Sequence, residues 1–273
     1  MKCFLKNKGN WGMAFFLLIL LLLLLGEKLA PYPPNDVDMS LRLQPLSAQH
    51  LLGTDHLGRD ILSRILAGAH TTVGVSLSAL FACLAVGVPL GLIAGYAGGR
   101  LDWSIMRLVD ASMMFPDYIV AIVLSGILGA GTFNLIIAIV AVKWFGYARL
   151  VRSIVMAEKS KEYIASARLS GRSAAAILYH HLIPHVASSV SALAVVDIGK
   201  IILMIASLSY IGLGIQPPNA EWGSMLNEGR SFFISAPYLM IVPGAAILMV
   251  VLLVNVFGAA FADRFDTSTQ KEG

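Results

Sequence analysis

Long apolar runs separated by polar stretches dominate this chain. A membrane-spanning helix needs about 20 apolar residues, within a usual range of about 17–25. Runs near this length predict six spans, at about 11–30, 72–97, 113–130, 133–150, 188–211 and 238–261. The pattern therefore predicts an all-α, polytopic membrane protein with six transmembrane helices.

The first apolar run, Trp11–Leu25, is short and is open to two interpretations. Lys2, Lys6 and Lys8 precede it, as basic residues precede the apolar part of a signal peptide. It reaches span length only when Gly26–Ala30 is included. We expect an uncleaved first span, because no small-x-small cleavage site follows at the right place and further spans come later.

Composition supports the membrane class. Of the 273 residues, 57% are apolar and 13% are charged, and the mean hydropathy is +0.77. Soluble domains usually carry about 25% charged residues. Halving that fraction removes the polar surface that a water-soluble protein needs, so a soluble globular protein is excluded.

Two polar stretches are too long to be simple turns. The first follows the first span and ends in 57–69, where Leu and Ile at helical spacing predict a short amphipathic helix. The second, at 151–190, joins two spans. We therefore divide the chain into an N-terminal span at 1–30, an external segment at 31–70, a five-helix core at 71–265 and a tail at 266–273.

The distribution of Lys and Arg predicts the orientation. Loops on the side of the N-terminus carry thirteen of these residues, and loops on the other side carry four. Cytoplasmic loops are enriched in Lys and Arg. We expect both termini, the tail and the loop at 151–190 to be cytoplasmic.

The loop at 151–190 contains two predicted helices. The first, Glu162–Leu169, is rich in helix-forming and small residues, and small residues allow a partner to approach closely. Gly171 stands where a helix-terminating glycine is expected. The second, Ala174–Ile183, is expected to end at Pro184. Two short helices with a glycine between them and a proline at the end predict a rigid element that transmits force.

This loop also carries a recognisable motif, Glu162-Tyr163-Ile164-x-x-Ala167-x-x-x-Gly171 followed by His181-x-x-Pro184. The motif resembles the Glu-Ala-Ala loop of ABC importer permeases. Four further stretches resemble the dipeptide/oligopeptide/nickel group of these permeases and occur in the same order, at 52–64, 107–116, 209–223 and 255–266. Within the group, the residues at 165–171 and 197–199 are most similar to the C-type nickel permease.

The resemblance implies a type I ABC importer permease fold with a cytoplasmic coupling helix that docks in a cleft of the ATPase. The docking residues it implies are Glu162, Tyr163, Ala165, Ala167 and Gly171. One departure matters, because the glutamate of the family's triplet falls on Ala165 and its middle alanine on Ser166. Docking is therefore expected to depend on shape and on Glu162.

The resemblance also implies partners and a cargo. The chain would form half of a pathway in a bacterial or archaeal inner membrane, with a homologous second permease, two ABC ATPase subunits, a solute-binding protein and surrounding lipid. The implied cargo is nickel, free or chelated, with peptides or metallophore–metal complexes as the alternative. The chain itself would bind no cofactor, and the partner ATPase would use ATP with magnesium.

Charged residues within a span are expensive and indicate function. Asp197 and Lys200 fall near the middle of the fifth span and, three residues apart, share a helix face on which they can pair. They either line the translocation path or hold helices together. The second span carries Gly87, Gly91, Gly95 and Gly99 on one face, for packing within the chain or against a partner.

Two histidine clusters suggest metal binding, but we expect no metal site. His50, Asp55, His56 and Asp60 are of the kinds that bind nickel or zinc. They lie in the stretch at 52–64 and just before it, and that stretch resembles one shared with peptide transporters, so a folding role is favoured. A second cluster lies in the loop at 151–190, where packing is expected, and comprises His180, His181 and His185.

Other function classes find little support in the sequence. It contains no Gly-x-x-x-x-Gly-Lys-Ser/Thr phosphate loop, no His-Glu-x-x-His and no Gly-x-Ser-x-Gly. No basic, aromatic-rich patch suggests nucleic acid. A polytopic membrane enzyme would depend on Asp197 and Lys200 alone, and a secondary transporter usually has internal repeats and more spans. We therefore expect a transport subunit rather than an enzyme.

Overall fold

The structure is a computed structural model that describes residues 25–269, with side chains described for residues 25–256 except Glu27. The predicted first span, apart from its end, and the last residues of the tail lie outside this part of the chain. The described residues are helical, as the sequence predicts. Their α-helices are α1 (Ile61–Ala97), α2 (Gly99–Ser112), α3 (Asp117–Leu128), α4 (Thr132–Lys159), α5 (Glu162–Leu169), α6 (Ala174–Ile177), α7 (Ile183–Tyr210), α8 (Trp222–Gly229) and α9 (Tyr238–Thr269).

Four stretches among the described residues are long and apolar enough to cross a membrane, namely α1, α4, 174–210 and 238–256. The span predicted at 113–130 is different. Its helix, α3, has 12 residues, and it meets α2 at an angle of 88°. The two helices make one broken span at most, because Pro116 lacks a backbone N–H and fixes a non-helical backbone where α3 begins.

The first described span begins earlier than predicted. Asp60 caps α1 by accepting a hydrogen bond from the Ser63 N–H at 2.8 Å, and the helix then continues without a break to Ala97. The separate amphipathic helix predicted at 57–69 is therefore wrong. Its helical part is the polar start of a 37-residue helix, and the domain boundary placed at residue 70 falls inside that helix.

Glycines of α1 pack closely against α4. A Cβ atom added at Gly91 would lie 2.5 Å from the Ala148 carbonyl oxygen, and one at Gly95 would lie 2.8 Å from the Val155 Cβ. Gly87 has equally close neighbours on α4. These contacts confirm packing within the chain, whereas Gly99 is not part of the face because α1 ends at Ala97. The contacts advance along α1 and α4 in the same order, so the two helices run in the same direction.

Ion pairs join α4 to the bent pair of helices α2 and α3. Lys143 Nζ lies 2.7 Å from Asp117 Oδ2, and Arg149 and Arg152 pair with Asp110 and Asp102. Each pair gives a basic residue of α4 an acidic partner on a neighbouring helix.

The loop predicted at 151–190 is shorter in the structure. Helix α4 continues to Lys159 and α7 begins at Ile183, so the part between them is 160–182, which we call the coupling segment. Pro184 does not end a helix, contrary to expectation. It lies in the first turn of α7, where a proline needs no N–H donor, and a π-helical turn at Leu178–Leu182 precedes it.

Candidate functional site

Helix α5 of the coupling segment has one buried side and one exposed side. Ile164 is fully buried in the main apolar core, and Ala167 packs against that core from the same side. The exposed side follows the helical spacing i, i+3, i+4 and i+7. We call it the docking face, and its residues are Glu162, Ala165, Ser166 and Leu169.

The coupling segment is fastened to the end of α4 by Glu158. This carboxylate accepts hydrogen bonds from the Tyr163 hydroxyl at 2.6 Å and from Lys161 Nζ at 2.7 Å. Partial burial and the hydrogen bond to Glu158 raise the pKa of Tyr163 to about 12, so its hydroxyl remains a donor at neutral pH. Motion of α5 is thereby tied to motion of α4.

Helix α5 ends in a complete Schellman motif. The Gly171 N–H donates to the Arg168 carbonyl at 3.0 Å, and the Arg172 N–H donates to the Ala167 carbonyl at 3.2 Å. Gly171 has φ +78°, which glycine adopts without strain, and open space surrounds the position of a Cβ. The predicted glycine terminator is therefore confirmed, and its constraint is the backbone angle rather than crowding.

The histidines of the coupling segment make packing contacts. The His181 ring lies 5.7 Å from the Tyr163 ring, and its Nε2 is 3.3 Å from Arg172 Nη1. His180 Nδ1 lies 3.1 Å from the Ala176 carbonyl oxygen. These contacts join α5 to the helical turns before α7, in agreement with the packing role expected from the sequence.

The predicted docking residues do not all lie on the exposed side of α5. Glu162 and Ala165 lie on the docking face, whereas Tyr163 and Ala167 attach the helix to the protein and Gly171 forms the turn. Leu169, which is 90% exposed, was not singled out by sequence reasoning. Its spacing of seven residues from Glu162 is the signal that could have identified it.

A polar cluster lies within the membrane-spanning helices. The Tyr147 hydroxyl of α4 donates to Asp197 Oδ2 of α7 at 2.9 Å, and Lys200 Nζ donates to Asp197 Oδ1 at 3.0 Å. Tyr147 and Asp197 are buried, whereas the Lys200 side chain is 58% exposed. The predicted pairing of Asp197 with Lys200 is confirmed, and Tyr147 is a member that the sequence did not indicate.

The external segment is held by a second polar cluster, which we call the external network. Arg59 Nε lies 2.6 Å from Asp55 Oδ2, and Arg59 Nη2 lies 2.8 Å from Glu228 Oε2 of α8. Arg64 Nη2 is 3.1 Å from the same Glu228 oxygen. Both arginine side chains are at most 2% exposed. The network ties 55–64 to α8.

The residues that suggest a metal site belong to this network or border it. Ligand atoms of Asp55, His56 and Glu228 lie within 4.8 Å of one another, yet guanidinium groups already bind both carboxylates. His50 Nδ1 instead lies 2.9 Å from Asp60, the residue that caps α1. Burial lowers the pKa of His56 below its ordinary value. These contacts are those of a folding element.

Comparison of the sequence with known families gives one match over most of the chain. The family is described as "Binding-protein-dependent transport system inner membrane component", and it matches residues 87–271. This range contains α4, the coupling segment and the polar cluster of the spans.

Three curated relatives align over nearly the whole chain. The nickel transport system permease protein NikC of Escherichia coli (strain K12) is 39% identical over 97% of both chains. The di/tripeptide transport system permease protein DppC of Pseudomonas aeruginosa is 36% identical over 96% of this chain and 89% of that protein. The glutathione transport system permease protein GsiD of Pectobacterium atrosepticum is 38% identical over 92% and 84%.

A solved structure shares the fold. It is an inward-facing conformation of the MetNI methionine ABC transporter, matched with a TM-score of 0.60 at 16% identity. The match covers 74% of this chain and 95% of that chain. At this identity, the likeness concerns the arrangement of helices alone.

Proposed function

Because the chain belongs to the family of binding-protein-dependent transport system inner membrane components and is an ABC importer permease subunit, we propose that it couples import to ATP hydrolysis through the docking face of α5. One observation carries this proposal. A short helix anchored by buried Ile164 presents Ala165, Ser166 and Leu169 to the outside. Small side chains beside one exposed leucine form a surface that fits a cleft of another protein.

The rigidity of the coupling segment supports a role in force transmission. Glu158 fastens α5 to α4, and the contacts of His181 fasten it to the turns before α7. A push on the docking face therefore reaches two spanning helices without being absorbed by a flexible joint. Alternating access needs this kind of link, since ATP-driven closure of the ATPases must turn the spans between inward-facing and outward-facing states.

The proposed assembly has this chain beside a homologous second permease, with two ABC ATPase subunits on the cytoplasmic side and a solute-binding protein on the other. ATP with magnesium is used by the ATPases and not by this chain. The excess of Lys and Arg on the side of the coupling segment supports cytoplasmic termini in an inner or plasma membrane.

The proposed cargo is nickel, free or as a chelate, with di- or oligopeptides and metallophore–metal complexes as the alternative. Similarity to a nickel permease over the whole chain supports nickel, and similar identity to peptide and glutathione permeases supports the alternative. Asp197 and Lys200 are the proposed path residues, because they place polar groups on a spanning helix.

Substitution at Gly171 tests the docking role. In the assembled transporter, Gly171→Asp should abolish most transport-coupled ATP hydrolysis, since it adds a charge beside the docking face. Gly171→Asn is the matched control, because asparagine has nearly the same size and tolerates positive φ. It should retain most activity. Unchanged coupled hydrolysis in Gly171→Asp, with expression and assembly intact, would show that the docking role is wrong.

Uptake in a deletion strain tests the cargo. Cells that lack this gene should accumulate less nickel when nickel is limiting, and a plasmid copy should restore accumulation. Supplying nickel as the aqua ion, as chelates or together with competing peptides separates the candidate cargoes. Unchanged nickel accumulation in the deletion strain would contradict the nickel assignment and favour peptide import.

A further inference from the structure

We propose that Lys200 binds a carboxylate group of the transported substrate and that Tyr147 is its positioning residue, acting through Asp197. The inference rests on the proposed function and narrows its substrate class. The path would favour a carboxylate-bearing cargo, either a chelate whose chelator keeps a free carboxylate or a peptide with a free C-terminus.

Two lysines of the described spans differ in their surroundings. Lys143 is paired with Asp117 on a neighbouring helix, and its side chain is 15% exposed. Lys200 is paired with Asp197 on its own helix, and its side chain is 58% exposed. Lys143 therefore joins helices within the chain, whereas Lys200 lies on an exposed side of α7.

The depth of Lys200 limits what this exposed side can face. Lys200 lies ten residues before Tyr210, the last residue of α7, which at about 1.5 Å per residue is about 15 Å. The hydrocarbon core of a bilayer is about 30 Å thick, so Lys200 lies near its middle. A charge that faced lipid at this depth would be expensive. The exposed face of α7 therefore lies against an aqueous path or another protein.

Further polar groups lie near Lys200. Ser207 lies two turns beyond Lys200 on the exposed side of α7. On α9, the Asn255 Oδ1 atom lies 3.3 Å from the position of a Cβ on Gly199, the residue before Lys200. An exposed lysine and an exposed serine on α7, with an exposed amide on the neighbouring helix α9, suit a path for a polar solute better than a face packed in lipid.

Tyr147 and Asp197 fix the position of the ammonium group. Both Asp197 oxygens are used, one by the Tyr147 hydroxyl and one by Lys200 Nζ. This bond leaves two of the three ammonium donors of Lys200 available. Because Tyr147 lies on α4, which leads directly into the coupling segment, movement of α4 relative to α7 would also reposition Lys200.

The chemistry of the site favours an anion. An ammonium group donates charge-assisted hydrogen bonds to carboxylates and repels bare metal cations. Within the described spans, Asp197 is the acidic group beside it, and both of its oxygens are engaged. A cargo that presents a carboxylate to Lys200 gains a favourable contact, and an aqua nickel ion does not.

The test uses the complete transporter, with its second permease, ATPases and binding protein, reconstituted in proteoliposomes. Four probes are compared: nickel citrate, aqua nickel, dialanine and dialanine amide. Uptake by each variant is divided by wild-type uptake of the same probe, so that preferences of the binding protein cancel. The affinity of the binding protein for each probe is measured separately.

Lys200→Gln should lower uptake of the carboxylate-bearing probes about 10-fold, since a charged hydrogen bond is lost, while other probes change less than about 2-fold. Lys200→Arg should restore most uptake, because it keeps the charge. If Lys200→Gln fails to assemble, Asp197→Asn combined with Lys200→Gln removes both charges and should show the same selectivity.

Tyr147→Phe should raise KM for carboxylate probes and leave kcat unchanged.

The outcomes separate the two proposals. Equal losses for all probes, no loss for any probe, or wild-type transport of aqua nickel alone would overturn the role of Lys200 and leave the permease function intact. The role of Lys200 is supported if the wild-type transporter takes up only the carboxylate-bearing probes although the binding protein also binds the other probes. Absence of ATP-driven uptake of every probe by the wild type would contradict the proposed function itself, and this inference with it.

Discussion

The external network and the coupling segment lie at opposite ends of the helices and use their residues in opposite ways. Helices α1 and α4 run parallel, so the start of α1 and the end of α4 are far apart. The external network turns its charges inward, with Arg59 2% exposed. The coupling segment turns Ala165, Ser166 and Leu169 outward. The stretch dense in charged motifs therefore stabilises the fold, and the coupling segment exposes the surface that we propose for docking.

The largest expected effect is the loss of a buried arginine. Arg59→Ala should destabilise the protein by about 3–5 kcal/mol, because it leaves the carboxylates of Asp55 and Glu228 buried with fewer partners. Thermal unfolding in detergent measures the change. Arg230→Ala, at an exposed position, is the control and should have little effect. Equal stability of the two variants would remove the contrast between the two regions.

The second prediction concerns the coupling segment. Leu169→Asp should leave the melting temperature unchanged, since Leu169 is exposed, but should reduce transport-coupled ATP hydrolysis about 10-fold or more, as the loss of an apolar anchor at an interface does. Leu46→Asp, on the external segment and also exposed, serves as the control. Coupling that survives Leu169→Asp, or is lost equally in Leu46→Asp, would contradict the assignment.

A third prediction concerns the contact between α1 and α4, which stabilises the fold through glycines rather than charges. Gly91→Ala should cost about 1–3 kcal/mol of stability, because its Cβ overlaps α4. Gly126→Ala on α3 has open space and should not destabilise the protein. Unfolding measurements on both variants decide the matter, and equal melting temperatures would mean that the α1–α4 contact is looser than described.

The smallest effect concerns pH at the external network. Burial lowers the pKa of His56 below 6.5, against the nearby charges of Asp55 and Glu228, which act to raise it. The unfolded chain therefore binds more protons, and stability should be full above pH 6.5 and fall as the pH drops towards the folded-state value. His56→Gln should flatten this dependence in melts between pH 5 and 8. An unchanged pH profile would exclude His56 as its source.

Sequence reasoning predicted the features that depend on short-range patterns. The bounds of α5 follow from helix-forming residues and from Gly171, whose positive φ only glycine adopts easily. The pair Asp197–Lys200 follows from helical spacing. The glycine face of α1 follows from a repeat of four residues.

The features that the sequence did not predict depend on contacts between distant elements. Nothing in the sequence distinguishes Tyr147 from other tyrosines, because its hydrogen bond to Asp197 depends on the packing of α7 against α4. Pro116 and Pro184 had local signals that were misread, because the sequence did not show that Pro116 begins α3 after an 88° bend or that Pro184 lies in the first turn of α7 rather than at a helix end. Leu169 continues the helical spacing from Glu162, but that spacing indicates an exposed residue only once the side of α5 that meets the core is known.

The most direct test of the ATPase-docking role is photo-crosslinking in the assembled transporter. A benzophenone amino acid replaces Leu169 in one variant and Leu46 in another, and adducts are identified by mass after irradiation. We predict an adduct with the ATPase from position 169 and none from position 46. An ATPase adduct from position 46, or none from position 169 in a transporter that retains coupled hydrolysis, would contradict the docking of α5 on the ATPase.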